Sequence, residues 1–107
     1  MATKAEIDAG YLAQHNLLTQ KFYQMRAAGQ ITPALQSLFD KVHGYLSHLH
    51  MRDRIANGID PDFYVLGAND VLSSTLQSAQ LTADLNGPLK LSASEKNQAK
   101  VKFGVDL

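Results

Sequence analysis

The hydrophobic period of this chain changes at Asn86-Gly87-Pro88, and no other feature constrains its fold as much. Before that point apolar residues recur at helical spacing. After it, Leu89, Leu91 and Ala93, and then Ala99, Val101, Phe103 and Val105, alternate with Lys90, Ser92, Ser94, Lys100 and Lys102. Alternation at every second residue is the pattern of a half-buried strand. The reading is two strands joined at Glu95-Lys96-Asn97-Gln98, a short C-terminal β-hairpin or extended tail. A lone two-stranded hairpin is marginal in water, so its apolar face needs cover from the helical body or from another chain.

The body is expected to be helical. Thr3-Lys4-Ala5-Glu6 has the form of a capping box, and Ile7, Tyr11, Leu18, Phe22 and Met25 follow it on one stripe until Ala27-Ala28-Gly29 ends the helix. Thr32-Pro33 caps a second helix that runs to Asn57-Gly58 and carries Leu35, Leu38, Phe39, Val42, Tyr45, Leu46 and Leu49 on one broad face. The short link between the two makes them antiparallel. Asp60-Pro61 opens a possible helical turn to Leu66, and Asn69 is read as the cap of a third helix through Val71, Leu72, Leu76, Ala79, Ala83 and Leu85. The fold class is mainly α: an antiparallel helical hairpin plus a third helix over 1–87, followed by a β-hairpin or extended arm over 88–107.

Composition removes several function classes. There is no cysteine, hence no disulfide framework, thiolate metal site or thiol nucleophile. No apolar run is long enough to span a bilayer, and the first residues do not form a signal-peptide core, so a cytoplasmic protein, or a component of a particle assembled there, is expected. Net charge is zero, without the basic footprint of a nucleic-acid binder. The charges are nevertheless segregated. Between Ile55 and Leu89 the only charged residues are Asp60, Asp62, Asp70 and Asp84, whereas Lys90, Lys96, Lys100 and Lys102 crowd the tail. Such opposed segments can pair within one chain or between neighbouring copies.

No residue set specifies a reaction. Asp40, His43, His50 and Asp53 lie along one helix, but one helix rarely presents more than two metal ligands, and His15 or a distant carboxylate would have to complete the set. Packing histidines at the border of an apolar stripe explain them better. Ser73, Ser74 and Thr75 lack a Gly-x-Ser-x-Gly turn, and Asp60 and Asp62 flank a turn proline as capping residues do. Gly67-Ala68-Asn69 lacks the spacing of a phosphate-binding loop. No cofactor and no small-molecule substrate are expected.

The leading expectation is a structural interaction protein without enzymatic activity, a homo-oligomer or a subunit of a larger protein assembly. The expected interface comprises Leu89, Leu91, Val101, Phe103 and Val105 with Lys100, Lys102, Asp60, Asp62 and Asp70, the arm docking on a neighbouring copy or, alternatively, on its own third helix beside Leu72 and Leu76. In layout alone, a cysteine-free helical body with a projecting hairpin resembles ring-forming adaptor and accessory proteins of tailed-phage particles. The alternative is a small regulatory or inhibitory binding protein of a bacterium or phage.

Overall fold

Helix α1 (Lys4–Ala27) begins at the expected cap. The Thr3 hydroxyl accepts the Glu6 N–H at 3.2 Å, and the Glu6 carboxylate accepts the Thr3 N–H at 3.3 Å. It ends because Gly29, at φ +69°, turns the chain so that the Gln30 N–H reaches back to the Met25 carbonyl at 2.8 Å. Helix α2 (Pro33–Ala56) starts on Thr32, whose hydroxyl accepts the Leu35 N–H at 3.2 Å, and closes in the same manner at Gly58. Two further helices follow, α3 (Ser74–Asn86) and α4 (Ala93–Phe103). This is a computed structural model that describes residues 2–59 and 74–107, with the backbone alone for 74–78. The expected turn from Asp60-Pro61 to Leu66, the Asn69 cap, and Val71 and Leu72 lie outside the described residues, as does the side chain of Leu76.

The order along the chain sets a simple packing scheme. Helix α2 is central, with α1, α3 and α4 against it, and α1 and α4 also touch each other. One cluster unites Leu18 and Phe22 of α1, Leu38, Val42 and Leu46 of α2, and Leu91, Ala99, Phe103 and Val105 from the C-terminal segment. The Phe22 and Phe39 rings stack at 3.9 Å between centroids, and Phe103 meets Phe39 edge-on at 6.2 Å. On the other side of α2, Leu81 and Leu85 of α3 are buried, and Asp84 lies 3.4 Å from the His48 ring nitrogen Nε2.

The C-terminal β-hairpin is not present: among the described residues there is no strand, and residues 93–103 form α4. The cause is local. Ser92-Ala93-Ser94-Glu95 is a second capping box, with the Ser92 hydroxyl on the Glu95 N–H at 3.1 Å and the Glu95 carboxylate on the Ser92 N–H at 2.9 Å. The intended turn, Glu95-Lys96-Asn97-Gln98, is therefore the first part of a helix rich in strong helix formers. Lys100 and Lys102 fall in the last turn, where positive charge opposes the negative end of the helix dipole. Gly104, at φ +73°, ends the helix and turns the chain. What reads as alternation is a helical pair, Ala99 and Phe103, followed across that glycine by Val105, all three fully buried. Val101 breaks the pattern and is 70% exposed.

Lys41 of α2 fixes the start of α4, bonding both Glu95 carboxylate oxygens at 2.9 and 3.0 Å. The Ser92 N–H first, and Lys41 second, hold the Glu95 carboxyl below its ordinary range. Truncating Phe103 to Ala should cost about 3–5 kcal/mol, as for other buried aromatic rings. Val101→Ala should change stability by less than about 0.5 kcal/mol, the surface norm. Urea denaturation of both variants checks this. Equal losses would mean that the two side chains face the same way, as in the hairpin.

Candidate functional site

Antiparallel packing brings the first turns of α1 against the last turns of α2, and the polar residues there converge on Asp8. Arg54, buried in spite of its charge, bonds both Asp8 oxygens at 3.0 Å through Nε and Nη2. His50 approaches Oδ1 at 2.6 Å, and since a carboxylate cannot donate, the shared hydrogen sits on the histidine Nε2. Lys4 pairs with Oδ2 at 3.1 Å. The His50 hydrogen bond is the largest influence on the Asp8 carboxyl, which with help from Lys4 and Arg54 lies far below the usual carboxylate range despite partial burial.

The Tyr11 ring lies flat on His50, 4.3 Å between centroids and 5° between planes. From there a run of rings follows the α1–α2 seam: Tyr11 to His15 at 5.4 Å, His15 to His43 at 5.3 Å, and His43 to Phe39 at 5.9 Å. Burial first, and then the nearby His15, push the His43 ring below its ordinary titration range, while Asp40 opposes them. Both Asp8 oxygens are taken up by cations and His50, an arrangement that locks two helices rather than one that leaves a base free. Among the described residues no group of three or more His, Asp or Glu side chains is placed to hold a metal ion.

Beside this node is an open cleft of about 410 Å³. Its apolar walls are Ile7 and Tyr11 of α1, Leu46 and Leu49 of α2, and Leu107, while Glu6, Asp53 and Asp106 stand among the lining residues and no Lys or Arg does. The Asp106 N–H donates to the Gln14 side-chain oxygen at 3.1 Å, which ties the segment after α4 to α1.

The residues expected at an interface are divided by the fold. Leu91, Phe103 and Val105 are buried in the chain's own core, so their cover comes from α1 and α2 and not from a neighbour. Leu89 is half-buried and lies against Gly44 of α2, where an added Cβ would stand 3.1 Å from its Cδ2. Val101, Lys100 and Lys102 are exposed together on α4. Asp60, Asp62 and Asp70 lie outside the described residues.

A further surface escaped the sequence reading. Ala9, Leu12, Ala13, Asn16, Leu17, Gln20, Tyr23, Gln24 and Ala27 are all exposed and share the outer arc of α1, about 140° wide at 100° per residue; from Ala9 onward this arc has no charged side chain, and Glu6 lies on it one turn earlier. Leu12, Leu17 and Tyr23 are 51%, 43% and 58% exposed. The signal was available as the lack of charge on the arc opposite the apolar stripe.

Against protein-family models, curated proteins and solved structures, the chain finds no match. Among the described residues no helix is long and apolar enough to cross a membrane.

The two shifted groups give a signed pH dependence. The lowered Asp8 carboxyl supplies stability that is complete above the ordinary carboxylate pKa of about 4 and is lost as pH falls below it. Asp8→Asn should lower the Tm at pH 7, with a deficit that shrinks below pH 4. Because His43 is held below the ordinary value of about 6.5, charging it opposes the fold as pH drops through that region. His43→Gln should flatten the Tm between pH 7 and 5. Calorimetry of the wild type and both variants across pH 3–8 tests both signs.

Proposed function

We propose that this chain is a structural interaction protein that assembles with copies of itself, a subunit or adaptor rather than an enzyme. The outer arc of α1 carries the proposal. Surface positions of soluble domains are about 25–35% charged, yet none of the nine exposed positions from Ala9 to Ala27 on this arc is. The cores of protein interfaces are depleted in charge and enriched in aromatic residues, as this arc is with Tyr23. Its leucines also gain free energy when water is removed from them. The polar node supports the same reading from the opposite direction, because its one strongly perturbed carboxyl is spent on joining α1 to α2. The projecting hairpin behind the likeness to tailed-phage adaptors is a docked helix, and the proposal stands on α1 without it.

Sedimentation velocity from low micromolar to several hundred micromolar should show a discrete oligomer. Combining Leu12→Glu with Tyr23→Lys should weaken that association by about tenfold or more while leaving the helical circular dichroism nearly unchanged, because both side chains are exposed. A wild type that stays monomeric over the whole range would sink the proposal and favour a small inhibitory binding protein.

A further inference from the structure

We propose that the cleft beside Tyr11 and His50 receives α4 of a second copy of this chain, seating Val101 on its apolar wall and Lys100 and Lys102 against its acidic rim. The inference rests on the self-assembly reading and names a second contact within it. Three observations converge on this pairing of surfaces.

The first is the exposure of Val101, at 70% the most exposed large apolar side chain described. It lies about 160° around α4 from Phe103, at 100° per residue. The face that docks α4 on its own body therefore turns Val101 away from that body. Lys100 and Lys102 flank it, one on either side of the helix, and among the described residues neither makes an ion pair. The Lys41–Glu95 pair holds the start of α4 in place, so this basic and apolar surface is presented rigidly.

The second is the chemistry of the cleft. It offers apolar walls and three carboxylates, Glu6, Asp53 and Asp106, with no Lys or Arg among its lining residues. Among the described residues Glu6 and Asp106 make no ion pair, and Asp53 has only the exposed Arg52 at 3.6 Å. The nearby cations Lys4 and Arg54 are both engaged by Asp8. An apolar hollow with an uncompensated acidic rim selects an apolar side chain carried between cations, and the α4 surface has that composition. Complementary charge of this kind steers encounter and fixes register more than it raises affinity, and added salt screens it.

The third is topological. The cleft and the exposed face of α4 are different surfaces, so a copy that inserts its α4 into a neighbour still has its own cleft free. Such a contact is head-to-tail and continues until it closes a ring or forms a filament. It also leaves the arc of α1 from Ala9 to Ala27 available for a separate contact.

The test is a charge swap at exposed positions, with circular dichroism of each variant checking that its helical content is kept. One variant carries Lys100→Asp and Lys102→Asp, a second carries Asp53→Lys and Asp106→Lys, and a third carries all four changes. Sedimentation velocity at low salt should show self-association weakened by about tenfold or more in each of the first two, the size expected when like charges meet across an interface. Mixing the first two, or combining them in the third, should restore it, because opposite charges face each other again. Raising the salt should weaken the wild type and the fourfold variant alike. If the wild type assembles and the first two variants assemble equally well, α4 does not enter the cleft, and this proposal fails while the α1 reading stands. If the first two lose assembly and neither the mixture nor the fourfold variant restores it, the four groups do not meet and the head-to-tail contact is wrong. A wild type that is monomeric throughout overturns both.

Discussion

The ring of Phe103 is the piece on which the rest of this structure depends. Two antiparallel helices make one seam between them but leave a groove along its edge. Here that groove is lined by Leu18, Phe22, Val42 and the edge of Phe39, and Phe103 fills it with Ala99 and Val105. Without α4 the groove would expose buried aliphatic and aromatic surface at about 25 cal/mol for each Å². With α4 in place, the segment after Gly104 is carried back to α1, where Asp106 meets Gln14 and Leu107 becomes a wall of the cleft. The same docking turns Val101 and its flanking lysines outward. Core, cleft and exposed basic surface thus have a common origin.

The polar residues divide the labour differently from what a search for chemistry would suggest. Asp8, Arg54 and His50 are close and strongly coupled, and in isolation such a trio invites a catalytic reading. Their saturation argues otherwise. A buried guanidinium is costly unless its charge is matched, and the two-pronged Asp8 contact supplies the match while fixing the register of α1 against α2. The ladder of rings from Tyr11 through His15 and His43 to Phe39 continues that seam. Beside these inward polar groups the surface carries three features: the arc of α1 from Ala9 to Ala27, an acid-rimmed apolar cleft, and a basic apolar ridge on α4.

Much of the fold was legible in short motifs, because helix ends are local events. The Thr3 box, the Thr32-Pro33 start and the stops at Gly29 and Gly58 depend only on hydrogen bonds between residues a few positions apart. The seam of Leu18 and Phe22 with Leu38 and Val42 follows from two apolar stripes and a short link. The C-terminal segment carries two competing local signals. Ser92 and Glu95 form the same motif as Thr3 and Glu6, while Ala99, Val101, Phe103 and Val105 alternate at every second residue. The four-member pattern Ala99, Val101, Phe103 and Val105 fits period 2 and, with the exception of Val101, also fits a helix followed by a left-handed glycine. The capping box is the more specific signal because it satisfies backbone donors that a strand would leave to other partners.

The candidate surfaces were less legible, for a reason of scale. The sequence by itself determined where three helices begin or end, which stripes of α1 and α2 face each other, and that the outer arc of α1 carries no charge from Ala9 to Ala27. Only the tertiary structure decided that Phe103 turns inward and Val101 outward, that Asp8 meets residues 42 and 46 positions away, and that Glu6, Asp53 and Asp106 surround one hollow. Capping and periodicity are written within a few residues, where backbone geometry fixes the spacing. A cleft and its rim are made from side chains on separate elements, so their proximity exists only once the burial of Phe103 has set how those elements pack.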